Sequence, residues 1–168
     1  MDKIAAAGDV HIAVIVLPTT LLAGASRLFL KNKKHVLCEK PGGISRAEIK
    51  QTIKVAKKNK VFYSIGYNHR FHDAFLKARR EFDRGTIGSL TFIRARYGFG
   101  GRSGYEKEWR LKKHLGGGEL LDQGVHMIDM ARYFMVEVRG SIGYTGNLFW
   151  GGAAEDNAFV VLKNKTKE

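Results

Sequence analysis

The 168 residues include one cysteine, Cys38, and two prolines, Pro18 and Pro41. A single thiol rules out an internal disulfide and fits a reducing compartment. No apolar run approaches the length of a membrane span. The most apolar early stretch, 11–22, is followed by Ala23-Gly24-Ala25, a plausible cleavage tripeptide. The segment before it carries Asp2 and Asp9 against a single Lys3, where a secretory leader needs positive charge, and Pro18 interrupts the run. A soluble, cytoplasmic protein is expected, with no membrane partner. Acidic residues are also few: 16 Asp and Glu against 29 Lys and Arg, a net charge of +13. That balance suits anionic partners such as nucleic acid, phosphorylated cofactors or acidic sugars. The bases are spread out, however. The small clusters at Lys31, Lys33 and Lys34, and at Lys57, Lys58 and Lys60, read as solvated helix ends, so nucleic acid is not the expected partner.

What is present points to a folded chain. Hydrophobic residues make up 44% and aromatics 11%, which excludes a disordered chain. The length suffices for one full core or two partial ones. Residues 10–17 (VHIAVIVL) are rich in β-branched side chains and stop at Pro18, as a strand buried in a parallel sheet does. Residues 21–31 read as a helix, 35–39 (HVLCE) as a second strand, and 44–59 as the clearest helix. Ser45 and Glu48 form its capping box, Ile44 is placed to staple onto Ile49, and Ile49, Ile53 and Ala56 form its buried stripe. Residues 61–67 (VFYSIGY) are a third strand. Strand–helix–strand–helix–strand with short connections predicts a parallel sheet with right-handed crossovers.

After Asn68 the texture changes. An amphipathic helix is expected over 71–84, with Phe75, Ala78 and Phe82 inward and Gly85 as C-cap. Residues 89–97 (SLTFIRARY) alternate like a strand with one wet face. A glycine- and charge-rich loop, 99–115, carries Tyr105 and Trp109 and feeds a second helix. Further strands are expected over 143–150 and 158–162. There is no internal repeat and no low-complexity linker. The expected boundary lies near Arg70, between domains 1–70 and 71–168.

Residues 116–134 (GGGELLDQGVHMIDMARYF) combine three glycines with a helix-length segment. At about 100° per residue, Asp122, His126, Asp129 and Tyr133 fall on one line, and the other faces are apolar. A helix that is apolar nearly all round is a buried one. A polar line on it must be hydrogen-bonded or face a wet cavity. Acid and imidazole four residues apart can touch, so Asp122 is placed to orient His126. A solvated edge or a satisfied internal network is the competing reading. Gly116–Gly118 reads as a flexible lead-in turn, with anion binding at the helix start as the alternative. Cys38, inside an apolar strand, reads as inert core.

Four stretches together resemble the Gfo/Idh/MocA oxidoreductases, the glucose–fructose oxidoreductase and inositol dehydrogenase type. Residues 36–41, VLCEKP, resemble the family's strand ending in Glu-Lys-Pro. Residues 66–71, GYNHRF, resemble its G-x-N-x-R-F segment. Residues 85–90, GTIGSL, are similar to its G-x-I-G turn, and 116–129 match its G-G-G-x-L-x-D-x-G-x-H-x-x-D helix. The resemblance implies an α/β fold: the second half of a Rossmann-type parallel sheet, followed by part of an α/β domain with an open, mostly antiparallel sheet. It implies NAD or NADP as cofactor and a sugar, cyclitol or nucleotide-sugar as substrate. It places a catalytic lysine at Lys40, a substrate-binding and catalytic aspartate at Asp122 and a proton-transferring histidine at His126. Pro18, Thr19, Glu39, Lys40 and Pro41 would line the cofactor. Asn68, Arg70 and Trp109 would join Asp122 in the substrate pocket. No metal is implied, and a homo-oligomer through the carboxyl-terminal sheet is. Alternatives stay open residue by residue: Lys40 as an ordinary turn lysine, Asp129 as a brace for a neighbouring loop, Tyr105 and Trp109 as local packing.

The match also departs from the family. Members begin with strand–GxGxxG–helix, whose backbone amides cradle the cofactor pyrophosphate, and this sequence has no such element. Leu22 stands where many members place a histidine. The expectation is a central fragment of a longer enzyme, inactive alone, with an exposed apolar sheet edge and weak NAD(P) binding. Two other classes remain open: a non-catalytic dimerising scaffold, and a basic nucleic-acid-binding domain supported only by net charge.

Overall fold

The computed structural model describes residues 1–135 and 137–164. The chain forms two compact units, Met1–Gly66 with His114–Gly116, and Tyr67–Lys113 with the chain from Gly117 onward. The first alternates helix and strand: α1 (Asp2–Ala6), β1 (Ile12–Ile15), α2 (Thr19–Lys31), β2 (His35–Glu39), α3 (Arg46–Asn59) and β3 (Tyr63–Gly66). The strands pair in parallel in the order β1-β2-β3, with Ile15 opposite Cys38 and Cys38 opposite Ile65. This is the α/β arrangement expected. β1 and β3 are shorter than the apolar runs suggested, because each pairs with only four residues of β2.

The core of this unit lies between the sheet and α2, with Ile15, Leu22, Phe29, Leu30, Val36, Cys38 and Ala56 buried. Leu22, the departure from the family pattern, is wholly enclosed here. β1 buries Ala13 and Ile15 but exposes Ile12 and Val14; Val16 just after it, Leu37 and Phe62 are exposed as well. The expectation of a strand buried on both faces is therefore corrected. α2 and α3 occupy one face, and the alternate side chains point away from them. The buried stripe of α3 is also rotated from the one expected. Thr52 and Ala56 are buried, whereas Ile53 is 40% exposed. Thr52 tolerates the interior because its hydroxyl donates to the Glu48 carbonyl (2.9 Å) and accepts from Arg27 Nη1 (3.4 Å). At the start of α3, Ser45 Oγ accepts from the Glu48 N–H (3.2 Å) and Glu48 Oε2 accepts from the Ile44 N–H (2.9 Å). The reciprocal bond thus reaches one residue before the cap.

The second unit runs through a 3₁₀ turn (Asn68–Phe71), α4 (Asp73–Asp83), a π-helical turn (Leu120–Gly124), α5 (Val125–Met135) and the antiparallel pair β4 (Val138–Gly146) and β5 (Asn157–Asn164). His72 caps α4, its Nδ1 accepting from the Ala74 N–H (3.3 Å). Gly85, at φ +76°, ends it: the Gly85 and Thr86 N–H groups donate to the Phe82 and Glu81 carbonyls, a Schellman arrangement. Phe75 and Phe82 are half-buried, but Ala78 is exposed rather than inward. Residues 89–97 are not a strand. They are exposed and lack a ladder partner among the described residues, so alternation alone did not make one. β4 ends at Gly146, where an Asn147–Asp156 loop takes over the backbone donors. The Asp156 carboxylate accepts from the N–H groups of Leu148, Phe149 and Trp150, each at 2.8 Å.

Candidate active site

In the first unit the sequence-predicted residues gather on one rim. Pro18 and Thr19 begin α2, just past the carboxyl end of β1; Glu39, Lys40 and Pro41 form the turn at the carboxyl end of the adjacent strand β2. That is the side on which parallel α/β sheets bind ligands. The turn is tightly specified. Lys40-Pro41 is a cis peptide, and the Gly42 N–H donates to the Glu39 carbonyl (3.0 Å), which makes a type VI turn. Gly42 has φ +83°, and a Cβ there would meet Ile65 and Tyr63 within 2.9 Å. Glu39 Oε2 accepts from the Lys40 N–H (3.0 Å). Pro41 is buried, Lys40 half-buried and Pro18 exposed. Behind the turn, burial pushes the Cys38 thiol up from its ordinary pKa, which agrees with inert core.

In the second unit the polar line running from the π-helical turn into α5 is the buried line. Asp122, His126 and Asp129 are 5%, 6% and 5% exposed, and Met130 joins them. Leu121, Val125, Met127 and Ile128 are only half-buried, and Arg132 is exposed. A helix buried all round was expected; instead the charged edge faces inward and the apolar flanks are partly open. Each buried acid meets an arginine. Asp129 accepts a two-pronged pair from Arg70 Nε (2.7 Å) and Nη2 (2.6 Å). Asp122 Oδ2 accepts from Arg110 Nε (2.8 Å) and Gln123 Nε2 (3.2 Å). Arg110 Nη1 in turn donates to Glu108 (2.7 Å), whose other oxygen pairs with Arg102 (2.8 Å). Charge-assisted forks of this kind make a buried carboxylate tolerable.

Two rings pack against His126. His69 stacks on it at 4.1 Å between centroids, and Tyr67 meets it edge-on at 6.3 Å. The Tyr67 phenol is raised above its ordinary pKa, mainly by burial and further by the Asp129 charge, with Arg132 and Arg70 opposing. It therefore stays protonated well into the alkaline range. Asp129 braces the 3₁₀ turn through Arg70, one of the roles the sequence left open. Trp109 is half-buried beneath the Arg110 guanidinium, 4.8 Å from the ring centroid, and Asn68 is exposed. Tyr105 is buried against Trp150 at 5.0 Å.

The glycines before α5 are not a flexible lead-in. A Cβ on Gly117 would collide with the carbonyls of Trp109 and Arg110, and one on Gly118 with the Glu155 carboxylate. Glu155 also serves the helix start, its backbone carbonyl accepting from the Glu119 N–H and its carboxylate from the Leu120 N–H. The chain thus supplies its own anion there. Sequence reasoning missed Arg110, Glu108 and His69. The buried carboxylate at Asp122 was the available signal for Arg110, since such a group requires a cation. Nothing local marked His69. No group of three or more His, Cys, Asp or Glu able to hold a metal occurs among the described residues, and no described helix is long and apolar enough to cross a membrane.

Comparison with known proteins gives consistent findings. A family model described as the GFO/IDH/MocA C-terminal domain matches residues 75–167. Another, described as oxidoreductase family, NAD-binding Rossmann fold, matches residues 1–67. Levoglucosan dehydrogenase of Pseudarthrobacter phenanthrenivorans is 30% identical over 132 residues, 77% of this chain and 34% of that protein. Myo-inositol 2-dehydrogenase of Thermotoga maritima is 34% identical over 141 residues, 81% of this chain and 41% of that protein. The crystal structure of an NAD-binding protein from Listeria innocua superposes with a TM-score of 0.85 at 25% identity, covering 98% of this chain and 47% of the other. The chain therefore spans less than half the length of each of these three proteins.

Proposed function

The chain belongs to the GFO/IDH/MocA family of oxidoreductases, and from that premise we propose that it forms part of an NAD(P)-dependent dehydrogenase acting on a secondary alcohol of a sugar, cyclitol or nucleotide-sugar. The observation that carries this reading is the inward polar line of the π-helical turn and α5. His126 is buried among rings while Asp122 and Asp129 are each held by an arginine.

Removing hydrogen from a secondary alcohol takes a hydride from carbon and a proton from oxygen. The nicotinamide, when bound, supplies the hydride acceptor. The rim formed by Pro18, Thr19 and the Glu39–Pro41 turn suits that ring: an exposed proline beside a rigid turn whose carboxylate is occupied by its own backbone N–H. No G-x-G-x-x-G is present in these 168 residues, so this rim is only part of a cofactor site. His126 takes the hydroxyl proton as general base. The Lys40 ammonium stabilises the developing alkoxide. Asp122 holds a substrate hydroxyl, its direction set by Arg110. Asn68, Arg70 and Trp109 belong to the surrounding pocket wall. The identities of the relatives in T. maritima and P. phenanthrenivorans support myo-inositol and levoglucosan as first substrates to test.

Reduction of NAD or NADP in the presence of these alcohols, by the longer enzyme of which the chain is proposed to form part, is the test. His126→Ala and Lys40→Ala are expected to lower kcat by about 10²- to 10⁴-fold. Turnover close to that of the unaltered protein in both variants contradicts the assignment. A second reading, a non-catalytic dimerising scaffold, is favoured by the exposed Ile12, Val14, Val16, Leu37 and Phe62 on the first unit's sheet. It predicts self-association with no turnover under any of these conditions.

A further inference from the structure

His69 occupies a variable position in the Gly66–Phe71 segment, and nothing in its own sequence context marked it. Three rings nevertheless gather around it. His69 lies nearly parallel to His126 (4.1 Å, 15°) and to Phe75 (6.4 Å, 12°), and Tyr97 is tilted to it at 5.7 Å. Tyr67 closes on His126 edge-on (6.3 Å, 83°).

The His69–His126 stack is held in register by the neighbouring residue. Arg70 grips Asp129 through both carboxylate oxygens. Adjacent residues 69 and 70 of the 3₁₀ turn thus engage positions 126 and 129 of α5. Those positions are three apart, one helical turn on the same face. The Nδ1 of His69 is buried and has no hydrogen-bond partner among the described residues.

The terminal torsion of a histidine is broad and roughly two-fold, so a ring stacked on its face narrows the planes it can take. Proton transfer requires that plane to be correct within the hydrogen-bond reach of one oxygen. The geometry points to His69 as the positioning residue that fixes the plane of the His126 imidazole for proton transfer. This rests on the proposed role of His126. What the position requires is a flat ring of about this size, so phenylalanine should serve and alanine should not.

Two readouts test it. The first is the histidine ring region of the NMR spectrum of the 168-residue chain, with far-UV circular dichroism as the folding control. The His126 ring protons are expected to show ring-current displacement from His69, kept in His69→Phe and lost in His69→Ala. The second is turnover with the alcohol that the enzyme accepts. His69→Ala is expected to lower kcat by about 10- to 100-fold with KM little changed, and His69→Phe to restore most of it. Unchanged His126 resonances in folded His69→Ala overturn the inference. So does a fall in stability or a rise in KM with kcat intact, which is what mere core filling predicts. The NMR arm needs no turnover. Full activity in His126→Ala would remove the catalytic reading, and with it His69's part in proton transfer, while the stack itself is judged on the spectrum alone.

Discussion

A carboxylate that is 5% exposed has to be answered within the protein, and the arginines that answer Asp129 and Asp122 set the character of the site. Arg70→Met would leave Asp129 buried without its fork. Arg70 is itself 39% exposed, so the cost is less than that of a wholly buried pair. A loss of about 1–3 kcal/mol in urea unfolding is expected, with Asp129→Asn in the same chain recovering part of it. Equal stability of the single variant and the unaltered chain contradicts the pairing. Cys38 gives a second residue-scale outcome. Its thiol is wholly buried and its folded pKa is raised by that burial, from an ordinary value of 9.0. A raised folded pKa contributes stability that is whole below the unfolded value and is lost as pH climbs through the folded one. Stability should therefore fall above about pH 9, and Cys38→Ala should flatten that part of the curve. The native thiol should also resist Ellman's reagent until the chain is unfolded. Rapid native labelling would show that the strand is not closed.

Among the elements, legibility followed how local the cause was. The helices at 19–31, 46–59 and 73–83 were readable because caps and periodicity lie within each segment. The polar line of α5 was readable as well, but its direction was not. Which side faces inward depends on Arg70 and Arg110, far away in sequence. The π-helical turn at Leu120–Gly124 left no mark that propensity could register. Residues 89–97 carried a strand's alternation and still did not pair, because a strand needs a neighbour as well as a pattern. Residues 147–150 were misread as the end of a strand for a similar reason, the group that organises their loop, Asp156, lying at its far end. Burial opposes ionisation of Asp156, but bonds from the N–H groups of Leu148, Trp150 and Phe149 and from the Asn157 amide outweigh it. They hold the carboxyl well below the usual carboxylate range. Such a depressed carboxyl contributes stability above its unfolded pKa and loses it as pH falls through the folded one. Asp156→Ala is expected to cost about 1–3 kcal/mol at neutral pH and to lessen the acid sensitivity of unfolding. An unchanged acid limb contradicts the clamp.

For the whole molecule, the open question is what meets its exposed apolar surfaces. In the second sheet Ile142 lies opposite Val161 and Tyr144 opposite Phe159, and all four are exposed. A homo-oligomer through this face is the account's expectation. Sedimentation should show concentration-dependent association, weakened by Tyr144→Glu with Phe159→Lys; association untouched by that pair places the interface elsewhere. Without a G-x-G-x-x-G, the 168-residue chain is not expected to show saturable micromolar binding of NADH in calorimetry. Such binding would show that the rim alone suffices. The central claim is that Lys40 and His126 act on one oxygen. A crystal structure with cyclitol and NAD(H) bound tests it most directly. Lys40 Nζ and a ring nitrogen of His126 are both expected within about 3.2 Å of the same substrate hydroxyl. A substrate whose reacting hydroxyl touches neither nitrogen would contradict it.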